Sequence, residues 1–369
     1  MVLPLKLDGK YEKGHVYHPR RLMGRFKAQI LSGTLLLTLL AFFISRHWIH
    51  KSPAVYYPKQ IDWSGLPVKG ALVVLARENE VHDIRGTMID IEDRLHTKHK
   101  YPWVILGDQP YSPRFQALVS SMAPGRVYFG QTQTWHEPSY IDIKKVEETM
   151  SQMANEGIYR GESLSWRKMA RYNVGYIADH PLLQQAEYYW KVQPRARYLC
   201  DIKEDPFVMM KSQSKKLAYA IAMVEDGRTI PSLWTHVKEF IEANPDITLP
   251  SSSTILPWML NDEGTFNRKH IWNNFMIISL DFMRSKEYRA FFEHLEHTGG
   301  FFYERWSDAP VQTFAAALFL KRDEVHFMQD FGYSYSVGLQ CPADSLVGAE
   351  LQCICDPTDS FREYIHIAP

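Results

Sequence analysis

Short apolar runs alternate along most of the chain with segments whose apolar residues recur at helical spacing. Ala71 to Leu75 (ALVVL) is a compact β-rich run of the kind that fills a buried strand. Ile84, Met88, Ile91 and Leu95 follow at near-helical spacing, and Trp103 to Leu106 and Arg126 to Phe129 read as further strands. Arg197 to Ile202, Leu217 to Val224 and Phe275 to Leu280 continue the series. Strands alternating with helices predict an α/β domain with a largely parallel sheet, whose ligands sit beyond the carboxyl ends of the strands. Late in the chain, Ser285 is placed to cap a helix with Tyr288, Phe291, Phe292 and Leu295 on one face, and Gly299–Gly300 stops it. Asp308, Ala309 and Pro310 then open a last helix, with Asp308 as its expected N-cap.

One stretch breaks this pattern. Ala28 to Ser45 is 18 residues without a charge, enough to cross a hydrocarbon core of about 30 Å as a helix. Lys6, Lys10, Lys13, Arg20, Arg21, Arg25 and Lys27 precede it, which places the N-terminus in the cytosol. The competing reading, a cleaved signal peptide, has too long a basic region, and Arg46, His47, Trp48 stand where small residues are needed. The expected organisation is a cytosolic tail (1–27), a single anchor (28–45), a proline-bearing stem (46–68) and a luminal domain (69–369).

Composition adds little beyond exclusions. A formal net charge of +0 argues against a nucleic-acid partner. Aromatics at 13% suit either a large core or a sugar site. No Asn-x-Ser/Thr sequon, dinucleotide-binding glycine motif, Walker loop, GxSxG or HExxH occurs. Of the four cysteines, Cys341 can pair with Cys353 or Cys355, and Cys200 stands apart.

Several long blocks are more specific. Gly299 to Pro310 (GGFFYERWSDAP), SKEYRAFFEHL before it, Ala186 to Pro194 (AEYYWKVQP), LCDIKEDPF, TIPSLW and WNNF resemble, in order, the blocks of the fungal α-1,2-mannosyltransferases. The resemblance runs from about Tyr56 to Pro357. It implies a Golgi type II enzyme with a single mixed sheet flanked by helices. Such an enzyme moves mannose from GDP-mannose to the 2-hydroxyl of a mannoside glycan, retaining the α configuration, with Mn2+. The membrane and other glycosyltransferases would be its partners.

That chemistry asks for a divalent cation on the leaving diphosphate and a carboxylate near the oxocarbenium-like sugar. The acid–Pro–acid motif that the resemblance assigns to the metal reads Gln193, Pro194, Arg195 here, and the metal-side His is Tyr335. The position of the proposed nucleophilic Glu is Met276, and the Tyr of the Ser-Tyr-Arg block is Trp166. The family Cys before WNNF is Lys269, which leaves Cys200 without its usual partner.

The remaining candidates each have two readings. Arg77, beyond the first strand, is either a donor contact or a loop charge, and Asp201 and Asp205 are the best metal-ligand or donor-side acids left. Glu304 and Asp308 are the remaining catalytic acids; Glu304 and Arg305 read equally as a structural ion pair, and Asp308 as a helix cap. Trp166 and Tyr303 fall on the acceptor side, and His136, His180 and His326 read as structural. Three functions stay open: a mannosyltransferase with a rearranged metal site, an inactive member that binds a glycan or partner, and a transferase for another donor or acceptor.

Overall fold

The computed structural model of the chain describes residues 60–361. The expected tail, the anchor at 28–45 and most of the stem lie outside them, and no helix among the described residues is long and apolar enough to cross a membrane.

The strands are β1 (Gly70–Leu75), β2 (Trp103–Gly107), β3 (Val127–Gln131), β4 (Tyr188–Lys191), β5 (Arg197–Tyr198), β6 (Leu217–Tyr219), β7 (Ala222–Val224), β8 (Lys269–Ile271), β9 (Met276–Ser279), β10 (Val325–Phe327), β11 (Tyr333–Tyr335) and β12 (Gly338–Gln340). Seven form the main sheet in the order β10-β6-β9-β4-β1-β2-β3. Every pairing in it is parallel except those of β9, which runs against both β4 and β6. The sheet is therefore mixed and largely parallel.

The helices that matter below are α1 (Val81–Arg94), α2 (Pro113–Ser120), α3 (Ile143–Asn155), α4 (Leu164–Gly175), α5 (Pro206–Ser212), α6 (Leu233–Ala243), α7 (Leu280–Arg284), α8 (Lys286–Thr298), α9 (Gly300–Tyr303) and α10 (Asp308–Phe319). They cover both faces of the sheet. Because side chains alternate across a strand, Ala71 and Val73 join one core with Ala170, Val237, Phe291 and Phe314, while Leu72 and Val74 join the other with Ile84, Met88, Phe115 and Phe207.

Several local expectations hold. Ser285 accepts the N–H of Tyr288 at 3.3 Å, and α8 ends on Gly299 in the left-handed region at φ 74°. Three do not. The expected strand Leu217–Val224 is two strands, β6 and β7, the second paired with β8 outside the main sheet. The run at Arg197 shortens to β5 and joins β11 and β12. Above all, the central strand β4 was not legible as a strand, because Glu187 and Lys191 bracket its aromatic residues and hide its apolar run.

Cys200 has a partner after all. It is bonded to Cys353, and Cys341 takes Cys355. Backbone bonds bring the late segment against the residues after β5: Asp201 N–H donates to Leu351 O at 2.7 Å and Ile354 N–H to Leu199 O at 2.9 Å. Cys353 is thereby set beside Cys200, which the absence of a Cys at Lys269 had left unpaired.

Candidate active site

The parallel strands end on one edge, and β9 begins there, so residues after β1 and β4 and before β9 lie together at the strand ends, where ligands of such sheets sit. The link after β4 carries Gln193, buried Pro194 and exposed Arg195. Arg195 has φ 73°, a conformation rare outside glycine, and donates its Nε–H to Asp83 Oδ2 at 2.7 Å. Asp83 lies in the first turn of α1. Thr87 also holds this link, its hydroxyl donating to Ala196 O at 2.9 Å, and Arg197 pairs with Asp90 further along the same helix.

Tyr335 stands beside this link. Burial raises its hydroxyl above the ordinary tyrosine range; Glu80 adds to the rise, and Arg160 and Arg195 oppose it. Its ring lies 5.7 Å from that of Trp272, which also packs on Gly338, where a Cβ would meet it at 2.3 Å. Of the three positions assigned to the metal side, Arg195 and Tyr335 lie within electrostatic reach of each other and Gln193 stands two residues before Arg195; they offer an amide, a guanidinium and a phenol.

Beneath them Met276 is fully buried, and its register partners are Lys191 on β4 and Tyr219 on β6. Lys191 is a buried cation. Its Nζ donates to Asp308 Oδ2 at 2.5 Å, and Asn173 Nδ2 donates to the same oxygen at 2.7 Å. Asn273 and Gln312 extend the network to the backbone of Asn173. Asp308 is therefore not the cap of α10, a position held by Ser307; it is one half of a buried ion pair.

A further acid, Glu225, stands on the side of Arg305 and Ser307. Glu225 follows β7 and accepts from Arg305 at 3.3 Å and from the Ser307 hydroxyl at 2.8 Å. The Arg305 guanidinium lies 4.5 Å from the centre of the Trp166 ring. Burial lowers Arg305, against the pull of Glu225 and Asp226. Burial also holds His270 below its ordinary value, although Glu225 and Asp308 both act to raise it. The signal for Glu225 was an acid directly after the apolar run Leu217–Val224.

Glu304 and Arg305 do not pair with each other. Glu304 Oε2 accepts the Trp306 indole N–H at 2.6 Å and the Ser232 N–H at 3.3 Å, while Arg305 turns to Glu225. Tyr303 is turned onto the start of α3, where its hydroxyl accepts the Asp142 N–H at 2.9 Å and its ring lies under Lys145. Asp201 and Asp205 are away from the cleft. Asp201 binds Arg94 at 2.9 Å, at the end of α1 opposite Asp83, and a 14-residue helix is about 20 Å long. Asp205 caps α5 and accepts from Tyr101 at 2.7 Å, beside the amino end of β2. Both are corrected to structural acids: each is saturated, at the wrong edge of the sheet.

Arg77 is exposed just beyond β1, its N–H held by Glu80 at 2.8 Å. Of the histidines, His180 is buried, accepts the Leu182 N–H, and is pushed down to about 4 by burial; His326 is lowered by burial too. Among the described residues one trio of metal-type side chains lies close enough to share an ion, Cys200, Cys353 and Cys355, and its sulfurs are consumed in disulfides.

One main mixed sheet with helices on both faces defines a nucleotide-sugar glycosyltransferase fold of the single-sheet type. The family described as glycolipid 2-alpha-mannosyltransferase matches residues 49–367, and the chain belongs to that family. It is 38% identical over 297 residues to glycolipid 2-alpha-mannosyltransferase 2 of Candida albicans, covering 80% of this chain and 64% of the relative, so it spans a little under two thirds of that protein's length. Core-mannan synthase A of Aspergillus fumigatus, in an Mn/GDP form, superposes with a TM-score of 0.75 at 30% identity, covering 80% of this chain and 81% of that one. The Saccharomyces cerevisiae mannosyltransferase Ktr4p in complex with GDP superposes with a TM-score of 0.73 at 30% identity, covering 81% and 80%.

A hard divalent cation takes carboxylate and carbonyl oxygens in number. Gln193 offers one amide oxygen, Tyr335 a phenol, and Arg195 a cation already bound to Asp83. This donor set does not fit the metal that the resemblance implies.

Proposed function

We propose that the chain serves α-1,2-mannosyl transfer: it binds GDP-mannose along the strand-end cleft and presents the sugar to the 2-hydroxyl of a mannoside glycan, with retention. The observation that carries this reading is the Glu225 carboxylate, fixed by Arg305 and Ser307 on the cleft wall of a domain of this family. A carboxylate there suits an oxocarbenium-like sugar. Arg77 serves the donor and Trp166 the acceptor side; Asp308 orders Lys191 and Asn173 under the floor. In a transfer assay with radiolabelled GDP-mannose and methyl α-mannoside, a slow α-1,2-linked product is expected, removable by an α-1,2-specific mannosidase and lost in Glu225→Gln. A product of another linkage, or one unchanged in Glu225→Gln, argues against this assignment.

A second reading, a family member that binds donor or glycan without turnover, is favoured by Met276 at the nucleophile position. It stands if GDP binds yet no product exceeds the Glu225→Gln background.

The proposed setting is the Golgi lumen, with the domain held by the apolar run 28–45. Deleting Met1 to His47 behind a secretion signal is expected to release soluble protein. Retention on membranes after a high-salt wash would contradict a single anchor.

A further inference from the structure

The cleft lacks a metal-binding set but is not short of positive charge. Arg195 is 76% exposed on its side chain and carries one ion pair, to Asp83. Its left-handed backbone, φ 73°, sends the side chain from a link whose neighbours Pro194 and Ala196 are buried. Arg160, also left-handed at φ 59°, lies in the segment between α3 and α4, packs 5.4 Å from the Tyr159 ring, and like Arg195 acts electrostatically on the Tyr335 hydroxyl. Arg77 is exposed beyond β1, and Glu80, which holds its N–H, is also within electrostatic reach of Arg195. Three guanidinium-bearing residues from three parts of the chain therefore border the strand-end cleft.

A guanidinium matches phosphate in charge and in geometry, because its N–H groups form a planar fork that donates two parallel bonds. An exposed pair such as Arg195–Asp83 is held weakly, so the fork can leave the carboxylate for a diphosphate. We propose that, at the donor site argued above and resting on that reading, Arg195 replaces the divalent cation: it holds the diphosphate of a nucleoside diphosphate sugar, flanked by Arg160, and nucleotide binding needs no metal. Asp83 then competes with the diphosphate for Arg195, and its removal frees the fork. A merely structural strap between the β4 link and α1 predicts the reverse, since losing either end loosens it alike.

The test is calorimetric titration of the purified full chain in detergent with GDP and with guanosine, in EDTA and in manganese. In EDTA, GDP is expected to bind within about twofold of its affinity in manganese. Arg195→Ala is expected to weaken GDP by about tenfold to a hundredfold, the usual scale of a lost charge-assisted bond, and to leave guanosine unchanged. Asp83→Asn is expected to bind GDP as well as the wild type or better. GDP binding that requires manganese overturns the inference and leaves the donor site standing. So does Arg195→Ala with wild-type affinity, or Asp83→Asn weakened in parallel with it. Failure of both GDP and guanosine to bind in either buffer overturns the donor site itself, and the inference with it.

Discussion

Asp308→Ala is expected to destabilise the folded chain by about 3–5 kcal/mol, the cost typical of leaving one partner of a buried ion pair alone. The Lys191 and Asp308 side chains are only 8% and 7% exposed, so solvent screens the pair little. Asp308 Oδ2 also accepts from Asn173, whose backbone oxygen accepts from Gln312, so the loss spreads into a network rather than one contact. Lys191 would remain at the end of the central strand with its charge unmatched. The double variant Lys191→Met, Asp308→Leu removes both charges and keeps the volume, and is expected to regain most of the loss. Chemical denaturation of the three proteins decides it. An Asp308→Ala protein as stable as the wild type would mean that water reaches Lys191, and the buried-pair account would fall.

The second large effect concerns rate. Wild-type turnover of GDP-mannose onto a simple α-mannoside is expected to be very slow, with little response to manganese. Gln193 and Arg195 supply no metal carboxylates and Met276 no nucleophile. Single electrostatic groups at a reacting centre are worth about 10²–10³ in rate, and groups acting as a unit do not add. The triple variant Gln193→Glu, Arg195→Asp, Met276→Glu is accordingly expected to gain about 10² or more and to become manganese-dependent, while single restorations gain little. The new acid would share Lys191, the cation that Asp308 already holds. Met276 and Lys191 are directly opposed on β9 and β4, so their side chains share a face, with Cβ atoms about 5 Å apart. Steady-state assays of wild type and triple variant, with and without manganese, test this. Family-typical, manganese-dependent turnover by the wild type would refute the impaired site. An inert triple variant that still binds GDP would shift the block to Trp166 and Tyr335.

What the sequence determined by itself was whatever depends on neighbours along the chain. The apolar run of β1, the buried stripe of α1, the Ser285 cap and the Gly299 stop are local periodicities and local backbone preferences, and each can be read within about a dozen residues. Ordered blocks from about Tyr56 to Pro357 carried the family, and with it the positions Gln193, Arg195, Met276 and Tyr335. Tertiary structure alone decided the partners. Asp308 meets Lys191 across 117 residues and Arg305 meets Glu225 across 80, so Glu304, the nearer acid, is left to the Trp306 indole. Cys200 finds Cys353 across 153 residues. Asp201 and Asp205 look like site acids because they follow a strand in sequence, yet the chain has by then returned to the far end of α1, where Arg94 and Tyr101 claim them. A charge pairs with what the sheet order and the helix lengths bring within a few ångströms, and spacing along the chain carries no record of that distance.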